Sequence, residues 1–359
     1  MVSIYHIGIA QAWFAALLVY RKPNKGSADN LLIVWLLVIG LEMLYSLLNL
    51  KYATWLPDLI IIPFSYGPFL YYYTKLLISK KPSFPKRIFV HLLPAYAFIF
   101  ISIIWQKPID IDAVNFLHKG AVTWLSVANF ALFFISMLYY WLMVFRLIKN
   151  HNQTLSDHFS YRSDTIKLNW LRVIALWILG GFLGSALTFF VFFLRNIFPF
   201  NPIEIFHLGL LVFSFSISYY GIHQPVLYKR EKQKRAPQKQ VILKDENHET
   251  GERLKQLMLQ GKPYLNSELT IQDLAEQLNE SSSAISNYLN KDLGVNFFTY
   301  INGFRIEEAK LRLSDPEHKN DTLLGIAFDS GFNSKSSFNT LFKRSTGMTP
   351  SEYRKINKK

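Results

Sequence analysis

The chain has 359 residues, half of them hydrophobic, with 39 Lys and Arg against 25 Asp and Glu and a formal net charge of +14. It has no cysteine, which excludes disulfide frameworks, thiolate zinc sites and thiol redox pairs. A charge of that sign suits anionic partners, phospholipid head groups or nucleic acid, without choosing between them.

Apolar and aromatic residues crowd the first two thirds, whereas charge, Asn, Ser and Lys crowd the last third. Two parts in two solvents would give that division. A helix needs about 20 mostly apolar residues to cross the hydrocarbon core. Seven stretches answer to this, at roughly 3–20, 31–50, 57–79, 87–105, 120–146, 170–194 and 203–227. One such stretch alone would also fit a buried helix of a soluble protein. Seven in a row, separated by short polar loops, predict a membrane bundle.

Loop charge predicts its orientation. Arg21, Lys22 and Lys25 follow the first span. Lys80, Lys81, Lys86 and Arg87 follow the third, and Arg146, Lys149, Arg162, Lys167 and Arg172 surround the fifth connection. The alternate loops are poor in base: Lys51 in one, Lys107 and Lys119 offset by Asp110 and Asp112 in another, Arg195 in the last. The expected topology is N-terminus outside and C-terminus in the cytoplasm. The first span has its basic cluster after the apolar run instead of before it, so it is expected to be an uncleaved span, not a signal peptide.

Ionisable groups inside spans are expensive. Glu42 in the second span and His207 in the seventh are therefore candidates for an intramembrane sensing site, with polar contact between helices as the plainer alternative. In IIPFSYGPFLYYY, Pro63, Gly67 and Pro68 are expected to kink the third span. Tyr71, Tyr72 and Tyr73 would form an interfacial aromatic belt or line a pocket.

After Tyr228 the sequence turns polar. Lys229, Arg230, Lys232, Lys234 and Arg235 form a juxtamembrane basic run, suited to anionic head groups. About 20 residues of flexible linker reach roughly 25 Å.

TIQDLAEQLNESSSAISNYLNKDLG, from Thr270 to Gly294, reads as two short helices joined by a tight turn. Leu274, Ala275 and Leu278 supply one apolar face, and Ile285, Tyr288 and Leu289 the facing one. Ala275 is small where helix axes approach, and Ser281, Ser282 or Ser283 caps the second helix. The pattern recurs from Thr322 to Lys355, with Ala327 at the small position, Gly331 in the turn, Asn333 or Ser334 as cap, and Phe338, Leu341 and Phe342 facing inward. Between them FFTYINGFRIEEAKLRL predicts one long helix, with Phe297, Tyr300, Ile301, Phe304, Ile306, Ala309 and Leu313 spaced for burial. Two helix-turn-helix units on a rigid helix would place two reading helices in successive major grooves, about 34 Å apart.

From about Glu252 to Lys355 the sequence resembles the DNA-binding domain of AraC-type regulators. The second unit carries the signature in Ala327, Gly331-Phe332, Ser334, Ser337-Phe338, Phe342-Lys343, Gly347, Thr349-Pro350 and Tyr353-Arg354, and the linker helix in Arg305 and Ala309. The membrane half is similar, more loosely, to that of multi-pass bacterial AraC-type regulators in YGPFLYYY and in HLLP, His91 to Pro94. The resemblance implies that Ser283, Ser286, Asn287 and Asn290 of the first reading helix face DNA, with Lys335, Ser336, Asn339, Thr340 and Lys343 of the second. Asn suits adenine and Lys suits guanine acceptors. Phosphate contacts are expected where base concentrates, in Lys335, Lys343, Arg344, Arg354, Lys355, Lys358 and Lys359.

The expected protein is thus all-α. Residues 1–228 form a seven-span transmembrane sensor, 229–249 a basic cytoplasmic linker, and 250–359 a double helix-turn-helix domain. Its expected partners are double-stranded DNA, the lipid bilayer, a small-molecule or membrane signal, and a second copy in a homodimer. No P-loop, dinucleotide turn or HExxH metal motif is present, so neither catalysis nor a cofactor or metal is expected. The rival reading is a multi-pass receptor or transporter-like protein whose tail binds a protein instead of DNA.

Overall fold

The computed structural model describes residues 2–52, 61–79, 86–93, 96–97, 100, 124–195, 202–228 and 245–357. Most of the expected fourth span and the basic run from Lys229 to Arg235 lie outside the described residues, as do Lys80, Lys81, Lys107, Lys119, Lys358 and Lys359. The described residues are helical, with one isolated antiparallel bridge between Phe159 and Thr270. The chain divides into two compact units, residues 1–150 with 168–230, and residues 151–167 with 231–359.

The first unit contains α1 (Val2–Arg21), α2 (Ser27–Tyr52), α3 (Ile61–Leu77), α4 (Trp124–Thr154, its last turn beyond the unit), α5 (Asn169–Arg195) and α6 (Pro202–His223). α1 packs on α2 and α6, α2 also on α3, and α5 on α6. Three segments among the described residues are long and apolar enough to cross a membrane: Ser3–Arg21, Ser27–Leu48 and Ala131–Asp157. The stretch expected to be the fourth span opens as a 3-10 helix, Lys86–Leu92.

Polar side chains turn inward in this unit. Glu42, His207, Ser214 and Ser218 are buried, while Phe14, Ile135, Trp177 and Phe215 are more than half exposed. Lys22, one of the basic residues after the first span, is tied down. Its ammonium pairs with Asp29 at 2.8 Å and donates to the carbonyls of Gly221 at 3.1 Å and Gln224 at 2.6 Å. α3 stays helical through Pro68. Gly67 is there for close packing: a Cβ would lie 2.6 Å from the Tyr140 ring. Tyr72 and Tyr73 are buried, so they do not form an outward aromatic belt. The Tyr72 hydroxyl bonds His91 Nε2 at 2.9 Å and the Tyr140 hydroxyl bonds His91 Nδ1, which joins the YGPFLYYY segment to the start of HLLP.

In the second unit come α7 (Asp245–Gln256), α8 (Ile271–Leu278), α9 (Ser282–Asn287), α10 (Phe297–Ser314), α11 (Leu323–Asp329), α12 (Lys335–Thr346) and α13 (Pro350–Asn357). α7 begins inside the stretch expected to be linker, because Leu254 and, in the widened turn that continues it, Met258 anchor it in the core. The unit has two cores that share one helix. Phe297 and Ile301 of α10 pack with Leu254, Leu274, Ala275, Ile285 and Leu289. One turn on, Ile306, Ala309 and Leu313 pack with Ile326, Ala327, Phe332, Phe338 and Phe342. Each large buried side chain contributes about 1.5–3 kcal/mol relative to exposure, so α10 is held from both ends.

Candidate nucleic-acid interface

The first helix-turn-helix is built by local chemistry. Thr270 caps α8 in a capping box, accepting from the Asp273 amide at 3.2 Å while Asp273 accepts from the Thr270 amide at 3.0 Å. Asn279 ends α8 in the left-handed region, with φ 58°, where Asn is tolerated better than most residues. Of the three candidate serines, Ser281 is the cap of α9, accepting from Ala284 N at 3.1 Å. α9 runs into a wider turn, Tyr288–Asp292, that carries Asn290. Ser283, Asn287 and Asn290 are exposed and Ser286 is half-buried. Asn290 donates to the Ser286 hydroxyl at 3.2 Å, which pre-orders the two as one polar patch.

In the second unit Thr322 caps α11 and Ser334, not Asn333, caps α12, accepting from Ser337 N at 3.3 Å. Gly331 has φ +90°, and a Cβ there would lie 2.2 Å from the Tyr264 carbonyl oxygen. Only glycine meets both conditions. Phe338 and Phe342 point into the core, and this turns Lys335, Ser336, Asn339, Thr340 and Lys343 outward, all five exposed. Gly347, with φ +76°, closes α12. Thr349 and Glu352 form the next cap, Thr349 N donating to the Glu352 carboxylate at 2.8 Å.

The nine residues expected to face DNA thus lie on α9, its continuation and α12, eight exposed and one half-buried. Lys335, Lys343 and Arg344 add positive charge on α12. Arg354 donates to the Asp321 carbonyl at 2.8 Å and ties α13 to the start of α11. Arg305 sits on α10 where the two cores change over, 1% exposed. It donates to the carbonyls of Tyr264 at 2.8 Å and Asn266 at 2.7 Å. Burial pushes its guanidinium down to about 10, so it stays charged at neutral pH. Burial alone would raise the Glu308 carboxyl, but hydrogen bonds from Lys262 and Arg312 outweigh it and hold the carboxyl below the usual carboxylate range.

Residues 274–356 match a family model described as a helix-turn-helix domain. They are a helix-turn-helix domain of the AraC type. An uncharacterized HTH-type transcriptional regulator of Staphylococcus aureus (strain COL) is 36% identical over 91 residues, 25% of this chain and 12% of that protein. YobQ, an uncharacterized HTH-type transcriptional regulator of Bacillus subtilis (strain 168), is 37% identical over 91 residues, 25% of this chain and 36% of YobQ. The chain therefore spans only a minor part of the relatives it matches, and each likeness covers a quarter of this chain. No solved structure matches.

The two intramembrane candidates, Glu42 and His207, are both buried in the first unit. His207 Nε2 bonds the Ser46 hydroxyl at 2.9 Å and its Nδ1 meets the Tyr5 hydroxyl at 3.5 Å. Ser46 lies one helical turn from Glu42 on α2, whose Oε2 has no hydrogen-bond partner among the described residues. Three helices, α1, α2 and α6, thus bring their polar side chains to one region.

Sequence reasoning missed the segment from His151 to Lys167. Its Arg162 and Lys167 read only as loop charge, yet it folds with the helix-turn-helix unit. Nothing in a short polar loop signals such docking, because its contacts are mostly to backbone.

Proposed function

We propose that this protein is a membrane-bound, sequence-specific DNA-binding regulator of transcription, a one-component sensor whose cytoplasmic AraC-type domain answers to its transmembrane part. The DNA reading rests on one observation above others: two capped reading helices on a shared rigid helix, each core residue inward and the nine side chains of the two reading surfaces turned outward. Ser283, Ser286, Asn287 and Asn290 contact one major groove, and Lys335, Ser336, Asn339, Thr340 and Lys343 the next. The membrane reading is supported by the three long apolar helices and by the large apolar side chains that the first unit leaves exposed, among them Phe14, Ile135, Trp177 and Phe215, while Glu42, His207, Ser214 and Ser218 are buried. In water that arrangement would be unfavourable; in hydrocarbon it is the stable one. The chain sits in the cytoplasmic membrane with its N-terminus outside, binds promoters while tethered, and pairs as a homodimer on repeated sites. Glu42 and His207 belong to the site where a small molecule or membrane signal acts.

The deciding experiment places the full chain in lipid nanodiscs and selects binders from random duplex DNA. Enrichment of a motif with two elements about one helical turn apart, with affinity falling steeply as salt rises, is the expected result. A folded chain that enriches nothing and shows no salt-sensitive binding refutes the DNA reading and leaves a tail that binds protein. Release of the chain from membranes by alkaline carbonate refutes the membrane reading.

A further inference from the structure

The segment His151–Lys167 joins α4 to α5, yet it belongs to the same compact unit as residues 231–359. It closes on itself through His151 Nε2 and the Ile166 carbonyl, 2.8 Å apart. It then pairs with the entry to α8 as a short antiparallel bridge: Ile271 N donates to the His158 carbonyl at 3.0 Å, and Ser160 N to the Leu269 carbonyl at 3.2 Å. Ser160, 1% exposed, is the hub. Its hydroxyl donates to Leu269 O at 2.7 Å and accepts from Arg305 Nη2 at 2.9 Å. Its carbonyl accepts from Arg305 Nη1 at 2.9 Å and from Asn302 Nδ2 at 3.0 Å. The Arg162 guanidinium lies 4.8 Å from the centroid of the Phe298 ring.

Two features make this more than loop packing. Ile271 N–H is a first-turn amide of α8, which no carbonyl of its own helix can accept, and the loop supplies the acceptor. The loop also ties the start of α8 to Asn302 and Arg305 on α10, the helix that sets the spacing of the two reading heads. The hydrogen bonds named above do not engage the nine reading side chains, eight of which are exposed.

We propose that loop 151–167 is the transmission element of the protein, a clasp on Thr270 and Arg305 that holds the two reading heads in DNA-competent register when docked and loosens them when withdrawn. The inference rests on the regulator reading above. The loop is covalently continuous with α4 and α5, so a rearrangement of either helix pulls directly on Ser160. Docking braces the domain before DNA arrives and lowers the ordering cost of binding.

The test uses the full chain in lipid nanodiscs and the variant Ser160→Pro, which removes the amide and hydroxyl of Ser160 but changes no residue of the helix-turn-helix units. Hydrogen exchange at Ile271 should be slow in the natural chain and accelerate at least about tenfold in the variant. Exchange at Phe338 and Phe342 should not change, which shows that the second core remains folded. Equal exchange at Ile271 in the two proteins overturns the docking.

A second construction locks the clasp. Phe159 and Thr270 are a directly opposed pair that takes part in neither of the two flanking hydrogen bonds, a geometry with Cα atoms about 4.5 Å apart, within disulfide reach. The natural chain has no cysteine, so Phe159→Cys with Thr270→Cys leaves a single bond to form. After cleavage at a protease site inserted in the linker, the two pieces should remain joined until reduced. DNA affinity should be at least as high oxidised as reduced, and about fivefold or more lower in Ser160→Pro. Equal affinity in all three states overturns the transmission role. If the natural chain binds no DNA, the regulator reading fails and the transmission role with it, while Ile271 exchange still decides whether the loop docks.

Discussion

Replacing Gly331 with alanine adds one carbon where the turn of the second helix-turn-helix closely approaches the backbone of Tyr264 and Leu265. The backbone there has φ +90°, and the new Cβ would lie 2.2 Å from the Tyr264 carbonyl oxygen and 3.0 Å from both Arg305 Nε and Leu265 Cα. That carbonyl is also the acceptor of Arg305 Nε at 2.8 Å, so relieving the clash stretches a charged, buried hydrogen bond. Left-handed backbone costs a non-glycine residue about 1–2 kcal/mol, and overpacking against groups that cannot rotate away adds about 1–3 kcal/mol. The expected loss is about 3 kcal/mol, roughly a hundredfold in the folding equilibrium constant. Hydrogen exchange of the most protected α10 amides, such as Ile306 and Ala309, reads this in the intact chain without needing a tryptophan in the domain. Two control glycines separate the causes. Gly347 has φ +76° but open space around its Cβ position, so Gly347→Ala should cost only the backbone part, about 1–2 kcal/mol. Gly303 is exposed in mid-helix with open space, so Gly303→Ala should stabilise by about 0.5–1 kcal/mol. If Gly331→Ala changes exchange no more than Gly347→Ala does, the close approach to Tyr264 is not what demands glycine.

Further outcomes follow from the same geometry. Asn339→Ala should cost about 1–3 kcal/mol in DNA affinity and relax preference at one base position, whereas Lys343→Ala should weaken binding to all sequences and lower the salt slope by about 1; titrations at several salt concentrations distinguish the two. Ser334→Ala removes the cap of α12 and should cost about 1 kcal/mol, read as faster exchange at the Ser337 amide. The Glu308 carboxyl is held below its ordinary range by Lys262 and Arg312. It therefore contributes stability above the unfolded-chain value, lost as pH falls through the lower folded one. Acid unfolding of Glu308→Gln should accordingly show a shallower loss than the natural chain as pH falls below the ordinary carboxylate range.

The C-terminal domain was legible in the sequence because its determinants are local. A serine or threonine before an apolar-periodic run, a small residue where helices cross and a glycine at the turn are choices made within a few residues, and Ser281, Ser334, Ala275 and Gly331 act as their spacing implies. The periodicity of α10 even announced its burial, with Phe297, Ile301, Ile306, Ala309 and Leu313 all inside. Hydropathy likewise announced apolar helices in the first two thirds, but it could not say which way a polar residue turns. Tyr72 and Tyr73 face inward, and Lys22 bonds Asp29 and two carbonyls more than 190 positions further along the chain. Only the tertiary structure decided that α10 serves two cores, that Arg305 gathers carbonyls from separate segments, and that Ser160 joins them from between α4 and α5. The contacts of Arg305 and Ser160 end largely on backbone carbonyls, which every residue carries alike. Side-chain pattern therefore encodes the helices and their inward faces, while the meeting of distant backbone segments is set by packing alone.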